Sequence, residues 1–265
     1  MMPGSDPARG HGARPILVLA HRGEHRQRAE NTIGAFLAAL AVPGCDGLEF
    51  DVRAARDGTP VVGHDVTLAR VFGRRRRISR LSTAELAAFG VPTLREVLET
   101  IPPRAFLDIE LKEDVGAALL PILRAARGSA PAKVVVSSFD EDALRTIGRR
   151  APELPTWLNV GRLDGDAVAR ASALGCRGVT AGQRSIGPAG MAAARAAGLD
   201  VAAWTVRRTS TLARLARLGV AAACVEDAAL EGARETLASI STPDATDMPP
   251  APPAARDAHP RGASA

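Results

Sequence analysis

Three carboxylates of this 265-residue chain are spaced so that they could act together. Glu49 and Asp51 are two residues apart in an apolar stretch, so on a strand both side chains lie on one face. Glu110 stands in the same relation to Lys112 in a second apolar stretch. Carboxylates that share a site of low dielectric constant need a positive counter-charge. An all-oxygen ligand set suits a hard cation such as Mg²⁺ or Ca²⁺ better than it suits zinc.

Two histidines and two cationic side chains have the types needed for chemistry on a phosphate. His21 and Arg22 end the first apolar run, and His64 ends another. Histidine titrates near neutral pH and suits the roles of general acid and general base. Arg22 and Lys112 offer hydrogen-bond donors to a phosphate, the arginine as a planar fork and the lysine as a point charge. A hard cation, phosphate donors and two histidines together predict phosphodiester cleavage.

Short β-rich runs alternate with Ala- and Leu-rich helical stretches, which is typical of βα units around a parallel sheet. Capping boxes at 82–85 and 93–96 predict the starts of two helices, and Gly198 and Gly219 predict the ends of two others. The predicted strands are 16–21, 47–52, 60–64, 105–111, 133–137, 155–159, 177–181, 200–206 and 222–226.

Nine strands are one more than an eight-stranded barrel needs. The segment that joins 47–52 to 60–64 is too short for a parallel crossover, and it contains Asp57-Gly58, a strong hairpin signal. We therefore expect an α/β fold, a (β/α)₈ TIM barrel with a β-hairpin at about 47–64 and a short insertion at its C-terminal mouth, where barrel enzymes keep their active sites. A turn centred between Asp57 and Gly58 places Asp51 directly opposite His64. A doubly wound open sheet is the alternative.

Composition sets the expected domain limits. Residues 15–240 are predicted to form the single barrel domain, with a short insertion at 65–92. Residues 1–14 lack hydrophobic periodicity and residues 241–265 are rich in Pro and Ala, so we expect a disordered leader and a disordered tail.

The sequence also indicates a compartment. The leader lacks the apolar core of a secretory signal, and no apolar run approaches the ~18 residues of a membrane span. Cys45, Cys176 and Cys224 are odd in number and widely spaced, which favours free thiols in a reducing compartment. We expect a cytoplasmic protein whose oligomeric state the sequence leaves open.

The net charge of +5 raises the question of nucleic-acid binding, but aromatic residues are only 3% of the chain, so platforms for base stacking are scarce. No nucleic-acid partner is expected. The densest charge run is Arg74-Arg75-Arg76-Arg77. A solvated loop is one interpretation, and weak peripheral contact with anionic lipid headgroups near the mouth is the other.

At the residues above the chain resembles the glycerophosphodiester phosphodiesterase family, over about residues 16 to 230. The matching segments run in order along the chain. They are His21-Arg22-Gly23, Glu30-Asn31-Thr32, Glu49-Phe50-Asp51-Val52, Asp57-Gly58, Val61-Val62-Gly63-His64-Asp65 followed by Leu68 and Arg70, Pro92-Thr93-Leu94 with Glu96, Ile109-Glu110-Leu111-Lys112, Ser138-Phe139 and Trp204-Thr205-Val206. The family consists of TIM-barrel enzymes, which agrees with the strand count.

The resemblance implies a role for each of ten residues. A divalent cation, Mg²⁺ or Ca²⁺ with Mn²⁺ as a further option, is held by Glu49, Asp51 and Glu110. Arg22 and Lys112 bind the phosphate, His21 and His64 are the acid–base pair, and Trp204 contacts the glycerol or alcohol group. Glu30 and Asn31 have supporting roles.

The implied reaction is metal-assisted hydrolysis of a small glycerophosphodiester to glycerol 3-phosphate and an alcohol, through a cyclic phosphate. One histidine takes the proton of a glycerol hydroxyl, and the other protonates the leaving alcohol. Lysophospholipase D activity on lysophospholipids is an alternative on the same barrel. A catalytically silent barrel that binds phosphate metabolites or an anionic surface is an alternative from another class.

The chain departs from the family pattern in places. Arg207 stands where asparagine is usual, and the segment from Cys224 through Glu226 to Asp227 replaces a usual threonine-aspartate pair. These departures leave the role of the last strand open.

Overall fold

A computed structural model of the chain describes residues 16–241. The predicted leader at 1–14, and all but the first residue of the predicted tail at 241–265, lie outside the described residues. The strands are β1 Leu17–His21, β2 Gly47–Ala54, β3 Pro60–Val62, β4 Phe106–Leu111, β5 Val134–Ser138, β6 Thr156–Val160, β7 Gly178–Gly182, β8 Asp200–Val206 and β9 Ala222–Val225. The helices are α1 Ile33–Leu40, α2 Ala69–Phe72, α3 Thr83–Ala87, α4 Leu94–Thr100, α5 Gly116–Arg127, α6 Glu141–Arg150, α7 Gly165–Ala173, α8 Pro188–Ala196, α9 Thr209–Leu218, α10 Asp227–Glu231 and α11 Ala233–Ser241, with a 3₁₀ turn at Ile78–Arg80.

Eight parallel strands form a closed ring. Each strand pairs with the next in the order β1, β2, β4, β5, β6, β7, β8, β9, and β9 pairs with β1. Helices follow the strands and pack on the outside of the ring. The predicted TIM barrel is confirmed, and the open sheet is excluded because an open sheet leaves two edge strands unpaired.

Side-chain alternation on the strands explains why the acidic residues face the barrel interior. Leu48 and Phe50 of β2 belong to the core between strands and helices. Glu49 and Asp51 therefore point the other way, into the barrel. The same alternation on β4 turns Glu110 inward.

The register of the parallel strands brings these groups level with one another. Glu49 pairs with His21 on β1 and with Asp108 on β4. Asp51 pairs with Glu110. The floor beneath them is apolar and consists of Leu19, Val135, Trp157, Ala202 and Ala222.

The hairpin of β2 and β3 has a different register from the predicted one. Val52 pairs with Val62, and Asp51 lies opposite Gly63, so the expectation that Asp51 lies directly opposite His64 is wrong by one residue. The amide of Ala55 bonds to the carbonyl of Thr59, which leaves a three-residue loop with Gly58 in the left-handed region at φ +83°. A three-residue loop with glycine at its last position shifts the pairing by one residue relative to a two-residue turn.

The insertion after β3 has a small hydrophobic core of its own, which consists of Ala55, Val61, Leu68, Ile78, Leu81, Leu86 and Val91. Both predicted capping boxes are present, at the N-termini of α3 and α4. The arginine run 74–77 lies in the exposed loop between α2 and the 3₁₀ turn.

The three cysteines are free, as expected. No helix within residues 16–241 is long and apolar enough to cross a membrane.

Candidate active site

The three predicted metal ligands meet at the C-terminal ends of β2 and β4. One carboxylate oxygen from each of Glu49, Asp51 and Glu110 lies within 4.8 Å of the others. The three residues are 3%, 0% and 8% exposed, so water cannot screen their mutual repulsion. Both carboxylate oxygens of Glu49 are buried without a hydrogen-bond donor among the described residues, and Oδ1 of Asp51 has only an ion pair with Lys112. This cluster of buried oxygens fits a hard divalent cation.

The ionisation of the cluster is uneven. Burial, followed by the charges of Asp51 and Glu110, raises the pKa of Glu49 well above its usual value. Burial also raises the pKa of Asp51, but the charges of Lys112 and Arg22 outweigh it and hold that pKa below its ordinary value. The protein's own cations therefore stabilise the charge of Asp51 more than that of Glu49.

Two cationic side chains border the acidic cluster. Nζ of Lys112 lies 3.1 Å from Oδ1 of Asp51 and donates to Glu110. Nε of Arg22 lies 3.2 Å from Oδ2 of Asp51, and its Nη1 donates to Glu30 at 3.0 Å. An anion that reaches this cluster meets both cations, which is the arrangement that a phosphodiester requires.

Gly23 fixes the path of the chain behind Arg22. Its φ is +83°, and a Cβ there would lie 2.7 Å from the carbonyl carbon of Ala35. Arg22 itself has a φ of +60°. Only glycine permits both this conformation and this close approach of α1.

His21 is held by a carboxylate from the far end of the chain. Its Nδ1 donates to Glu226, which follows β9, and its Nε2 lies 3.7 Å from Oε2 of Glu49. Burial lowers the pKa of His21, and the hydrogen bond to Glu226 opposes that change without cancelling it. His21 therefore presents Nε2 toward the acidic cluster with Nδ1 already engaged.

His64 has the same kind of partner from a different element. It follows β3, and its Nδ1 lies 2.7 Å from Oδ1 of Asp65. Burial lowers its pKa, whereas the charge of Asp51 and the hydrogen bond to Asp65 raise it. Each candidate acid–base histidine thus donates Nδ1–H to a carboxylate and keeps Nε2 free.

Glu30 and Asn31 support the site from the loop before α1. Nδ2 of Asn31 donates to Oδ2 of Asp51 at 2.8 Å. Glu30 accepts from Arg22 and also from both Nη atoms of Arg70, at 2.6 and 2.7 Å.

Seven of the ten predicted site residues line a single cavity of about 230 Å³ at the barrel mouth. They are His21, Arg22, Glu49, His64, Glu110, Lys112 and Trp204. Of the other three, Asp51 is buried beneath the cavity, and Glu30 and Asn31 line a smaller neighbouring one. The ring of Trp204 packs edge-on against Phe139, which also lines the large cavity.

Four further residues contact the site, and the sequence reasoning gave none of them a definite role. Glu226 holds His21, Asp65 holds His64, and Arg70 donates through Nε to Asp65 at 2.7 Å. Asp108 lines the cavity, and burial raises its pKa to about 7. The position of Asp65 directly after His64 was a usable signal, whereas Glu226 stood only in a segment that departs from the family pattern.

A sequence model described as the glycerophosphoryl diester phosphodiesterase family matches residues 21–230. The chain belongs to this family. The predicted family membership is therefore confirmed.

Individual glycerophosphodiester phosphodiesterases agree with this placement. The chain is 35% identical over 162 residues to the glycerophosphodiester phosphodiesterase of Caldanaerobacter subterraneus subsp. tengcongensis, across 54% of this chain and 65% of that relative. The match thus covers slightly less than two thirds of the relative's length.

Solved structures match over almost their whole length. A phosphodiesterase from Oleispira antarctica, in complex with the product sn-glycerol-3-phosphate, has a TM-score of 0.73 and 27% identity, covering 86% of this chain and 98% of that one. A glycerophosphodiester phosphodiesterase from Thermotoga maritima has a TM-score of 0.71, covering 84% and 98%, and at 24% identity it supports the fold alone.

Proposed function

We propose that this family member is a metal-dependent phosphodiesterase that hydrolyses glycerophosphodiesters to glycerol 3-phosphate and an alcohol. The observation that carries the proposal is the pair of carboxylate-held histidines, His21 and His64, lining one cavity with acidic and cationic groups. A site of this composition offers a place for a cation, donors for a phosphate and two groups that exchange protons.

The cation is proposed to lie among Glu49, Asp51 and Glu110, whose buried oxygens lack sufficient donors. A divalent ion bound there supplies a Lewis acid that offsets phosphate charge and lowers the pKa of a hydroxyl. The oxygen-only ligand set supports Mg²⁺, Ca²⁺ or Mn²⁺ and does not rank them.

Arg22 and Lys112 are proposed to bind the phosphate oxygens. Both form ion pairs with Asp51, so their positively charged groups are in place before substrate binds. Pre-positioned donors reduce the reorganisation needed when charge develops at phosphorus.

The two histidines then carry the proton transfers. One accepts the proton of the glycerol 2-hydroxyl through its free Nε2, the hydroxyl oxygen bonds to phosphorus, and the bond from phosphorus to the alcohol oxygen breaks. The other histidine donates a proton to the departing alcohol, which leaves a cyclic phosphate. Water then bonds to phosphorus, the ring opens, and the histidines exchange roles, so both protonation states are restored.

The carboxylates behind the histidines serve this exchange. Glu226 and Asp65 fix each ring with Nδ1–H as donor, which leaves Nε2 as the reactive nitrogen. The negative charge of the bound phosphodiester favours an imidazolium, which provides the acid for the first step.

A catalytically silent barrel is the competing proposal from another class. The presence of both histidines, all three carboxylates and both cations in one small volume argues against it, since binding alone needs no acid–base pair. The exposed arginine run 74–77 stays a candidate for weak contact with anionic lipid. The free cysteines support a reducing compartment, the cytoplasm.

The test is release of glycerol 3-phosphate by metal-depleted protein, assayed on a panel of glycerophosphodiesters and lysophospholipids after Mg²⁺, Ca²⁺ or Mn²⁺ is restored. We expect metal-dependent release, and a loss of about 10²- to 10⁴-fold in kcat for His21→Ala and for His64→Ala. Thermal unfolding of each variant checks that it is folded. Near-normal turnover by either histidine variant would refute the acid–base assignment, and no release with any ion would refute the activity.

A further inference from the structure

A second, more open groove adjoins the catalytic cavity at the barrel mouth. Its volume is about 590 Å³, and it shares Trp204 and Thr205 with the cavity. The remaining lining residues come from the last residue of β7 and from the loops that follow β6, β7 and β8. A substrate that extends past Trp204 from the catalytic cavity therefore enters this groove.

The charge of the groove is entirely positive among the residues that line it. Arg162, Arg184 and Arg207 contribute to its walls, and no aspartate or glutamate does. Arg162 is 81% exposed, and its nearest acid, Asp164, is 3.8 Å from its Nε. Arg184 is exposed and has no ion pair with any described residue. Within residues 16–241, Arg184 is thus unpaired and Arg162 has only a long, exposed ion pair, so both guanidinium groups can meet an anion.

The third arginine connects the groove to the catalytic machinery. Nε of Arg207 donates at 2.6 Å to Oε2 of Glu226, the carboxylate that also holds His21. Arg207 is 62% exposed, so its guanidinium remains accessible from the groove. Arg207 in the positive groove is therefore linked to His21 through a single side chain, that of Glu226.

Hydrogen bonds hold the β7 loop of the groove in place. Arg214 on α9 donates to the carbonyl oxygens of Gln183 and Ile186 at 2.7 and 2.9 Å. The hydroxyl of Ser185 donates to the carbonyl of Gly182 at 2.8 Å and accepts from the amide of Leu163 at 3.0 Å. The groove is a preformed surface, which lowers the entropic cost of binding there.

The sizes of the openings decide which part of the substrate uses the groove. The glycerol end must reach the acids in the catalytic cavity, which at about 230 Å³ lies below the ~300–1,000 Å³ of sites for drug-sized ligands. The cavity beside the insertion holds only about 20 Å³. Of the two spaces that adjoin the catalytic cavity, only the groove beyond Trp204 is therefore large enough for the alcohol part of the diester.

We propose that this groove is a binding subsite for the alcohol part of the substrate and that it selects alcohols carrying a further anionic group. A phosphate monoester on the alcohol meets the guanidinium groups of Arg162 and Arg184, a pairing that arginine makes in bidentate form. A cationic alcohol such as choline is repelled by the arginine side chains of the groove. Trp204 is the one large apolar side chain in the groove, so an acyl chain gains little there. This inference rests on the proposed phosphodiesterase function and names its substrate class.

The test compares kcat/KM for glycerophosphoinositol, for glycerophosphoinositol with a phosphate on the ring, and for glycerophosphocholine, with the full chain and a saturating divalent cation. We expect the phosphorylated substrate to be preferred over the unphosphorylated one, and choline to rank last. In Arg162→Gln/Arg184→Gln the ratio between the first two should fall by about 5- to 25-fold, since an exposed charge pair contributes up to about fivefold. Added salt should weaken the preference of the unmodified protein.

Arg150→Gln/Arg195→Gln is the matched control. It removes the same charge from exposed arginines in the last turns of α6 and α8, at the opposite end of the barrel, and should leave the ratio unchanged. The inference is overturned if the unmodified protein hydrolyses all three substrates equally, or if both double variants change the ratio alike. If no substrate releases glycerol 3-phosphate with any ion, the proposed function fails and this inference fails with it.

Discussion

Glu226 accepts a hydrogen bond from Nδ1 of His21, a residue that lies 205 positions earlier in the chain. Closure of the barrel makes this contact possible, because β1 and β9 are adjacent strands. Asp65 provides the same support to His64 from the next position in the sequence. One of the two proposed acid–base imidazoles is therefore oriented by the global fold and the other by a local turn.

Asp65→Asn should separate the roles of the two histidines. The Asp65 carboxylate favours the protonated imidazolium and so raises the pKa of His64; its removal lowers that pKa, while the amide oxygen can still accept from Nδ1. The limb of the kcat/KM profile that His64 controls should move to lower pH. If the acid limb of the profile shifts, His64 is the general base of the first step. If the alkaline limb shifts, His64 is the general acid.

Glu226→Gln should move the opposite limb, also to lower pH, because Glu226 raises the pKa of His21. Full pH profiles of both variants and of the unmodified protein provide the measurement. If both substitutions moved the same limb, or neither moved one, the assignment of two complementary histidines would be wrong.

A divalent cation should stabilise the fold through the acidic cluster. At a concentration of 100 Kd a single bound ion adds about 2.7 kcal/mol, which corresponds to a rise of about 5–10 °C in Tm for a domain of this size. Glu49→Gln should lose most of that rise, because both oxygens of Glu49 are buried without a donor. Glu99→Gln, an exposed change on α4, should keep it. Calorimetric scans with EDTA and with Mg²⁺, Ca²⁺ or Mn²⁺ are decisive, and an equal rise in both variants would place the ion elsewhere.

Arg70 should act as a positioning residue. It holds Glu30, which orients Arg22, and Asp65, which orients His64. Arg70→Ala should lower kcat and raise KM, with a loss of about 10- to 100-fold in kcat/KM, because both the phosphate ligand and the histidine lose their support.

Arg70→Lys should not restore activity, since an ammonium group cannot span two carboxylates as the guanidinium fork does. Arg75→Ala, an exposed change in the neighbouring loop, provides the control. A fall in Tm for Arg70→Ala without any change in either kinetic constant would reduce Arg70 to a structural role.

Gly23→Ala should destabilise the protein far more than Gly73→Ala. Both glycines have positive φ, but a Cβ at Gly23 would press on Ala35, whereas nothing lies within 4 Å of the Gly73 position. We expect about 1–2 kcal/mol for the conformational cost alone at Gly73, and a further 1–3 kcal/mol at Gly23 for the clash. Denaturant titration measures both, and equal midpoints would mean that α1 moves away without cost.

The barrel could be predicted because its signals are local and redundant. Asp57-Gly58 in a short connection indicates the antiparallel arm, and strand alternation is enough to predict that Glu49, Asp51 and Glu110 face the barrel interior. All nine strands appear within two residues of their predicted bounds.

What could not be predicted depends on loop geometry and on contacts between distant segments. The hairpin register depends on whether Gly58 ends a three-residue loop, and Asp57-Gly58 is compatible with a two-residue turn as well. The contact of Glu226 with His21 joins the first and last strands of the barrel, and no spacing rule in the sequence predicts it. The arginine groove combines residues from three separate loops in a chain where arginine is common throughout.

The separate hydrophobic core of the insertion has a consequence for how the enzyme loses activity on heating. His64 lies in the chain between Val61 and Leu68, two residues of this small core, whereas Glu49 and Glu110 lie on strands of the main barrel. Opening of the small core alone should require less free energy than global unfolding. Subglobal units of this kind are the ones whose amide hydrogens exchange with solvent first. On heating, the barrel should therefore retain any divalent ion held by Glu49 and Glu110 while the proposed acid–base residue His64 is displaced. Turnover should then fall at temperatures where the barrel is still folded.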